Sequence, residues 1–368
     1  MGKPDKQNAR KTVRKVLLFW HAAGVSNYHD RFESLSKHFE LTCVVAKNYK
    51  ETTETPFSDK YKTIEIESLF NFHPSVFLYK TLSKINFESY DVIYIHEEPY
   101  SLNTFQIVLR AFRSKTPYIL DSAVINMRYH FSGYNFLERF VLKNSSGVYY
   151  RNEEVKNYLL KRGVKKDKLI SSIPNGVKLY DTMYKSSNSK TLTPTLRIGY
   201  AGRIRKDKGL IVLANSLKHL KLEYFFQFCG LVEEKETLEK VLFILPKSKY
   251  LGVLNAGEMN SFYESIDILI LPSIPTKKWT EQFGRVLTEA IAKGVYACGS
   301  KIGFIPEIVG VQNTFPANNE KELSKFLNKI SNEELRRKEW ENQHNTLTEK
   351  YSWDAISYKL REDFNDIL

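Results

Sequence analysis

The sequence predicts an α/β protein built from two doubly wound sheets in tandem. Three observations carry this. Short β-rich runs alternate with helical patterns along most of the chain, as parallel strands with crossover helices require. The alternation comes in two series, parted by the polar stretch DTMYKSSNSKTLTP at 181–194. The chain has 368 residues, enough for two domains of ordinary size.

The first series reads RKVLLFW (14–20), FELTCVVA (39–46), DVIYIHE (91–97), TPYILDS (116–122), SGVYY (146–150) and LISSIPN (169–175). Helical patterns lie between, among them HDRFESLSKHF (29–39) and NTFQIVLRAFRSK (103–115). The second series reads TLRIGYAG (195–202), YFFQFCG (224–230), YLGVLN (250–255), DILILPS (267–273) and VYACGS (295–300). The boundaries that follow are a Rossmann-like domain at 1–180, a linker at 181–194, a second Rossmann-like domain at 195–351 and a helical tail at 352–368. The tail is expected to return to the first domain. Ligands of doubly wound sheets bind at the carboxyl ends of the strands. Two sheets facing each other across a central cleft place a site there.

Composition narrows the classes. At 42% hydrophobic and 13% aromatic the chain buries real cores and is not a disordered sequence. No run of about 18 apolar residues is present, so no membrane-spanning helix is expected. The N-terminal MGKPDKQNARKTVRK is basic and polar, and VLLFW breaks at His21, so no signal-peptide core is read there. Cys43, Cys229 and Cys298 are far apart and odd in number, which argues for a reducing, cytoplasmic setting rather than a disulfide framework. No Cys/His cluster has metal-ligand spacing, and no Asp-x-Asp stretch occurs.

The net charge of +13 is uneven. Residues 1–180 carry 28 Lys and Arg against 18 Asp and Glu, and 181–368 carry 27 against 24. The basic half fits an acidic partner: a nucleic acid, an anionic membrane surface or a phosphorylated substrate. A generic solvated surface accounts for it equally well.

Three motifs bear on chemistry. In GYAGRIRKDKGL (199–210) a strand ends in glycines and then offers Arg203, Arg205, Lys206 and Lys208 before a helix. Glycine lets a phosphate approach the backbone, and cations neutralise it. In EQFGRVLTEAIAKG (281–294) a helix starts near Gly284 and stops at Gly294. Its first-turn N–H groups suit a diphosphate. Glu281 precedes the helix. Glu289 lies one turn beyond Arg285, and spacing leaves open an i,i+4 ion pair or a carboxylate that accepts from a ribose diol. Glu97 and Glu98, at a strand's carboxyl end, point opposite ways. One of them suits an acceptor hydroxyl, or a local turn.

Together these pieces resemble the GT-B-fold retaining glycosyltransferases of family 4, the glycosyl transferases group 1. EQFGRVLTE looks like the family's Glu-x7-Glu motif and GRIRKDKG like its phosphate loop. AKGVYACGSKIGFIPEIVG, IHEEPYSLN (95–103) and YSW (351–353) also fit, so the likeness runs from about Lys15 to about Leu360 with motifs in family order and spacing.

The resemblance implies roles. Arg203 and Lys208 hold the donor diphosphate. Glu281 contacts the donor sugar, and the backbone of Phe283, Gly284 and Arg285 touches sugar and phosphate. Glu289 binds the ribose, and Gly24, in HAAGVSN, lies near the diphosphate. Glu281, Arg203 and Lys208 form the catalytic set; Glu97, Glu98 and Asn126 are acceptor candidates; His21 is read as structural. Two departures concern packing: Gly294-Val295-Tyr296 stands where the family has Gly-x-Pro, and Gly303-Phe304-Ile305 where it has a double glycine. The family's histidine after the fourth N-terminal strand is replaced by LDSAVINMRYH, leaving Asp121, Asn126 and His130 open.

The implied activity is transfer of a sugar from a nucleotide-diphosphate-sugar to a glycan or lipid-linked acceptor, in cell-surface polysaccharide or glycoconjugate synthesis. No cofactor and no essential metal are expected. The expected location is cytoplasmic, peripheral at the inner membrane face. A nucleotide-sugar 2-epimerase of the same fold and a basic nucleic-acid-binding protein are the alternatives. The second lacks any nucleic-acid motif.

Overall fold

The computed structural model describes residues 13–25, 28–47, 49, 57–73, 75–122, 132–151, 153–185, 195–276, 280–281 and 283–368. The chain divides into two compact units, Met1–Pro174 with Trp353–Leu368, and Asn175–Ser352. The sequence reading ended its first domain later, at 180. Val177 instead bonds through its N–H to Tyr351 O at 2.9 Å, which ties it to the second unit. Of the expected linker, 186–194 lies outside the described residues.

The first unit holds β1 (Lys15–Phe19), α1 (His29–Ser36), β2 (Glu40–Ala46), β3 (Lys62–Ile66), β4 (Ser68–Leu69), β5 (Leu78–Tyr79) and β6 (Val92–Ile95). It continues with α2 (Leu102–Ser114), β7 (Tyr118–Asp121), α3 (Ser132–Asn144), β8 (Gly147–Tyr150), α4 (Glu153–Lys161) and β9 (Leu169–Ser172). Seven strands pair in parallel in the order β3-β2-β1-β6-β7-β8-β9, and β4 and β5 form a small antiparallel pair. Both faces of the sheet are buried. On β1, Leu17 and Phe19 enter one apolar cluster while Val16 and Leu18 enter the other. That is why VLLF reads as a continuous apolar run rather than an alternation.

The second unit holds β10 (Leu196–Ala201), α5 (Leu210–Leu217), β11 (Tyr224–Cys229), α6 (Lys235–Ile244), β12 (Lys249–Tyr250), α7 (Ala256–Glu264) and β13 (Ile268–Leu271). It continues with α8 (Arg285–Ala292), β14 (Tyr296–Ser300), α9 (Ile305–Val309), β15 (Thr314–Phe315), α10 (Glu320–Lys329) and α11 (Glu333–Thr346). Its strands are all parallel, in the order β12-β11-β10-β13-β14-β15. The chain then enters α12 (Trp353–Ile367), whose Ile356, Leu360 and Phe364 join a core cluster of the first unit.

In both sheets the strand order reverses beside the first strand, between β1 and β6 and between β10 and β13. Crossover connections diverge there, and a crevice opens at the carboxyl ends of the two strands. The first crevice is lined from Trp20–Gly24 and His96–Glu98, the second from Gly202–Lys208 and Pro272–Ser273.

The turn into α5 depends on Gly209. Its φ is +71°, and a Cβ there would stand 1.9 Å from the Pro272 carbonyl oxygen. Gly163 has φ +90° with nothing within 4 Å. Gly163→Ala therefore costs only backbone strain, about 1 kcal/mol, whereas Gly209→Ala adds steric overlap and costs about 3 kcal/mol or more. Urea unfolding of the two variants checks this, and equal losses would show that the turn can shift.

Candidate active site

At the second crevice, the chain leaves β10, makes a short turn over Lys206–Lys208 and enters α5. This turn carries Lys208 inward, to 8% exposure. Its Nζ lies 2.7 Å from Glu281 Oε2. Ser273, just past β13, donates through Oγ to the same oxygen at 3.0 Å. Among the described residues, no polar contact engages Glu281 Oε1. Lys208 and Glu281, linked in sequence only by resemblance, are thus in direct contact.

Arg203 faces elsewhere. Its Nη1 lies 3.0 Å from Glu233 Oε1, and Arg205 Nη1 lies 3.1 Å from Glu233 Oε2. Arg205 also grips Asp207. The Arg203 side chain is 47% exposed, so its ion pair is worth little and is readily exchanged. Glu233 was not singled out in the sequence; GLVEEKE reads as an ordinary charged helix start.

Gly284 precedes α8 with φ +72°. Phe283 is an anchor for this loop: its ring stacks at 5.5 Å on Phe304 and meets Tyr351 edge-on at 5.9 Å. Its side chain therefore belongs to the core, and only its backbone is available to a ligand. The i,i+4 pair is present, Arg285 Nε to Glu289 Oε1 at 2.8 Å. The other oxygen of Glu289 accepts from Tyr263 OH at 2.7 Å. Tyr263 is buried, which raises its pKa well above that of a free phenol, so it stays a donor. This tyrosine carried no signal in sequence, because it stands in the mixed segment AGEMNSFYE of α7, 26 residues before Glu289.

In the first crevice, Gly24 closes the short turn His21–Gly24 after β1 and is buried. Glu97 is 3% exposed. One of its oxygens accepts from the His21 N–H, and the other lies 2.8 Å from His21 Nδ1. Without ligand, the Glu97 carboxylate is turned to the imidazole and away from solvent. Glu98 points the other way, accepting from Ser122 Oγ at 3.2 Å, and its carbonyl accepts from Thr104 Oγ1 at 2.8 Å at the start of α2. Asn126 and His130 lie outside the described residues.

A buried charge cluster stands beside this crevice. Asp121, at the end of β7, takes Arg31 Nη2 at 3.0 Å and Tyr94 OH at 2.7 Å on Oδ2. Arg151 Nη2 lies 2.7 Å from Oδ1, an ion contact outside hydrogen-bond alignment. His96 has Arg31 Nη1 at 2.5 Å from Nδ1 and Arg151 Nη2 at 3.3 Å from Nε2, and its ring stacks on Trp20 at 4.3 Å. Burial, then the two guanidiniums, hold His96 well below the ordinary imidazole pKa, against the pull of Asp121. Asp121 is buried, which favours its neutral form, yet the Arg151 and Arg31 guanidiniums and the Tyr94 hydroxyl overcome this and lower its pKa.

The comparisons with known proteins bear on the second unit first. Residues 185–346 match the family model of glycosyl transferases group 1. The matched segment contains Lys208, Glu281, Arg285 and Glu289. The chain is 24% identical over 242 residues to the gpi3 subunit of phosphatidylinositol N-acetylglucosaminyltransferase of Schizosaccharomyces pombe, covering 63% of this chain and 51% of that protein. It is 26% identical over 224 residues to lipopolysaccharide 1,2-N-acetylglucosaminetransferase of Salmonella typhimurium, covering 54% and 56%. The chain thus spans about half the length of these curated relatives. Among solved structures, Anabaena HepE in complex with UDP superposes with a TM-score of 0.70 at 15% identity, covering 96% of this chain and 100% of that one. Sucrose-phosphate synthase from Thermosynechococcus elongatus gives 0.64 at 16%, covering 96% and 99%. These likenesses show the fold, which is that of the GT-B glycosyltransferases.

His96 makes the acid limb of stability predictable. Unfolded, it takes a proton near pH 6.5; folded, its pKa is depressed. Between those values the unfolded chain binds more protons, so stability falls as pH drops below about 6.5, by up to about 1.4 kcal/mol per pH unit for this one group. Urea unfolding between pH 7.5 and pH 5 reads the slope, and His96→Asn should flatten it. An unchanged slope in the variant would assign the proton uptake to other histidines.

Proposed function

We propose that this chain is a retaining glycosyltransferase of family 4, moving a sugar from a nucleotide-diphosphate-sugar to a hydroxyl of a glycan or lipid-linked acceptor. The observation that carries the reading is the meeting of Lys208, Glu281 and Ser273 at the β10/β13 crevice, inside the matched segment. A buried cation with a carboxylate partner suits a diphosphate next to a sugar. The acidic ligand takes over the ammonium, and the carboxylate turns to sugar hydroxyls as acceptor.

In this reading Arg203 and Lys208 stabilise the charge that grows on the leaving diphosphate. Arg203 exchanges its exposed pair with Glu233 for the donor. The first turn of α8, after Gly284, meets the phosphates. Glu289, held by Tyr263, faces the ribose once Arg285 swings aside. The acceptor oxygen bonds to the anomeric carbon on the face the diphosphate leaves. The bond from that carbon to the phosphate oxygen breaks, its electron pair departs with the diphosphate, and a phosphate oxygen takes the acceptor's proton. Positioning and electrostatics are then the protein's contribution. The reading assigns the diphosphate's counter-charge to these side chains rather than to a resident metal.

The first unit is assigned the acceptor, and cell-surface polysaccharide or glycoconjugate synthesis is the setting that the relatives' names favour. No helix among the described residues is long and apolar enough to cross a membrane. A cytoplasmic enzyme working at the inner membrane face is the corresponding location.

UDP-sugars are the first donors to try, since HepE was solved with UDP and with UDP-glucose. UDP-, GDP- and ADP-sugars are screened by thermal shift. One class should raise the melting temperature, by an amount that corresponds to about 2.7 kcal/mol at a hundred times Kd. No shift with any class would overturn the reading, and isomerisation of the donor without acceptor would favour an epimerase.

Two variants then separate the carboxylates. Glu281→Ala should reduce transfer by at least about a hundredfold. Glu289→Ala should weaken donor binding about tenfold, the worth of charge-assisted hydrogen bonds to the ribose. Full activity in both would place the donor elsewhere.

A further inference from the structure

We propose that a cavity at the amino edge of the first unit's sheet binds the phosphate group of a small phosphate monoester. The cavity measures about 190 Å³, far more than one water needs. Arg14, Lys37, His38, Arg361 and Asn365 line it, together with Val13 and Phe39. Arg14 stands just before β1 and Phe39 just before β2, so the cavity lies at the amino ends of the strands. Trp20, at the crevice of this unit, is six residues beyond Arg14, about 20 Å along extended chain. The cavity is therefore a separate place from either crevice.

Its charge has one sign. Among the described residues no carboxylate lines the cavity. Arg14 is half-buried. Its Nε lies 3.3 Å from Asn365 Oδ1, and among the described residues no carboxylate pairs with it. Lys37 is held by Asp354 at 2.7 Å, and Arg361 Nε lies 3.6 Å from Glu362 Oε1. Both of these pairs reach solvent, so they are worth little and exchange readily. The His38 ring meets Tyr358 edge-on at 6.0 Å. Burial, then Arg361, lower the His38 pKa, and Lys37 adds to this against the pull of Asp354. The field at the ring is thus positive. Lys37 and His38 have an ordinary reason to be basic, because α1 ends there and its carbonyls attract cations. Arg14 is outside any helix, and Arg361 precedes the last turn of α12, so the helix ends do not account for them.

Two guanidiniums around one cavity suit a tetrahedral dianion, since each fork takes two phosphate oxygens. Val13 and Phe39 offer an apolar side to the carbon chain of an ester. The lining comes from both ends of the sequence: Arg14 and Asn365 are 351 residues apart. The helix α12 packs on the first unit here, with the Phe364 ring 5.3 Å from Phe39. Ser34 Oγ and Lys37 Nζ of the α1 end both donate to Asp354 Oδ1 at 2.7 Å. A phosphate held by Arg14, Lys37 and Arg361 fastens α12 to β1 and α1. Such a ligand binds the docked helix and not a detached one, so it stabilises the docking.

The test is thermal shift of the full chain with glycerol 3-phosphate and with inorganic phosphate, against sodium chloride at equal ionic strength. Both phosphates should raise the melting temperature saturably, and chloride should not. Arg14→Ser with Arg361→Ser should weaken the phosphate response about tenfold or more, and should keep the shift given by a nucleotide-sugar. In the wild type, the His38 ring resonance, assigned with His38→Gln, should move on adding glycerol 3-phosphate. Its pKa should rise, because a bound dianion favours the imidazolium. The proposal is overturned if the phosphates act no better than chloride or if the His38 resonance stays in place. It is overturned too if the double variant responds like the wild type, which would put the phosphate in the β10/β13 crevice. A His38 response to phosphatidic acid vesicles and none to the soluble phosphates would overturn it in favour of a lipid headgroup. A phosphate response without a nucleotide-sugar shift leaves the cavity standing and removes the transferase reading. The opposite result does the reverse.

Discussion

The 2.7 Å contact between the Lys208 ammonium and the Glu281 carboxylate organises the carboxyl edge of the second unit. Both side chains are largely removed from water, at 9% and 13% exposure. Neither charge is tolerable there alone: removing one partner of such a pair costs about 3–5 kcal/mol when fully buried. The pair therefore ties the loop after β10 to the loop before α8, with Ser273 of the β13 loop as a third point. The strand order makes this possible, because β10 and β13 are neighbours whose connections leave in opposite directions. The Gly209 turn lets the backbone pass the Pro272 carbonyl and point Lys208 inward. A site of this kind holds its cation neutralised at rest and ready for a more acidic partner.

The first unit uses the same topology with a different charge balance. Its buried cluster sets two guanidiniums, Arg31 and Arg151, against one carboxylate, Asp121, while His96 is kept from protonating. The excess is positive, in keeping with the larger share of net charge in residues 1–180. Part of that basicity is thus internal and structural. Another part, Arg14 and Lys37, lines the cavity at the amino edge of the sheet. Net charge alone does not separate the two; burial does.

The fold was largely legible because doubly wound sheets bury both faces, and VLLF, VIYI and ILIL stand out as apolar runs. The strand β3 was missed: KTIEI lies on the sheet edge and keeps polar residues. The strands β12 and β15 are two residues each, and the expected YLGVLN strand shrinks to its start at Tyr250. At the site, Arg203, Lys208, Glu281 and Glu289 carried motif spacing. Their partners did not. Ser273, Glu233 and Tyr263 reach them only through tertiary structure, from 8 residues away in one case and 30 and 26 in the others. The inward task of Glu97 was hidden for the same reason, since His21 is 76 residues distant.

The most direct test is a crystal structure grown with the nucleotide that most raises the melting temperature. The diphosphate is predicted within hydrogen-bond distance of Lys208 Nζ and Arg203, with Arg203 released from Glu233 and the ribose hydroxyls on Glu289. A nucleotide bound away from the β10/β13 crevice, with Lys208 still closed on Glu281 and Arg203 on Glu233, would contradict the account.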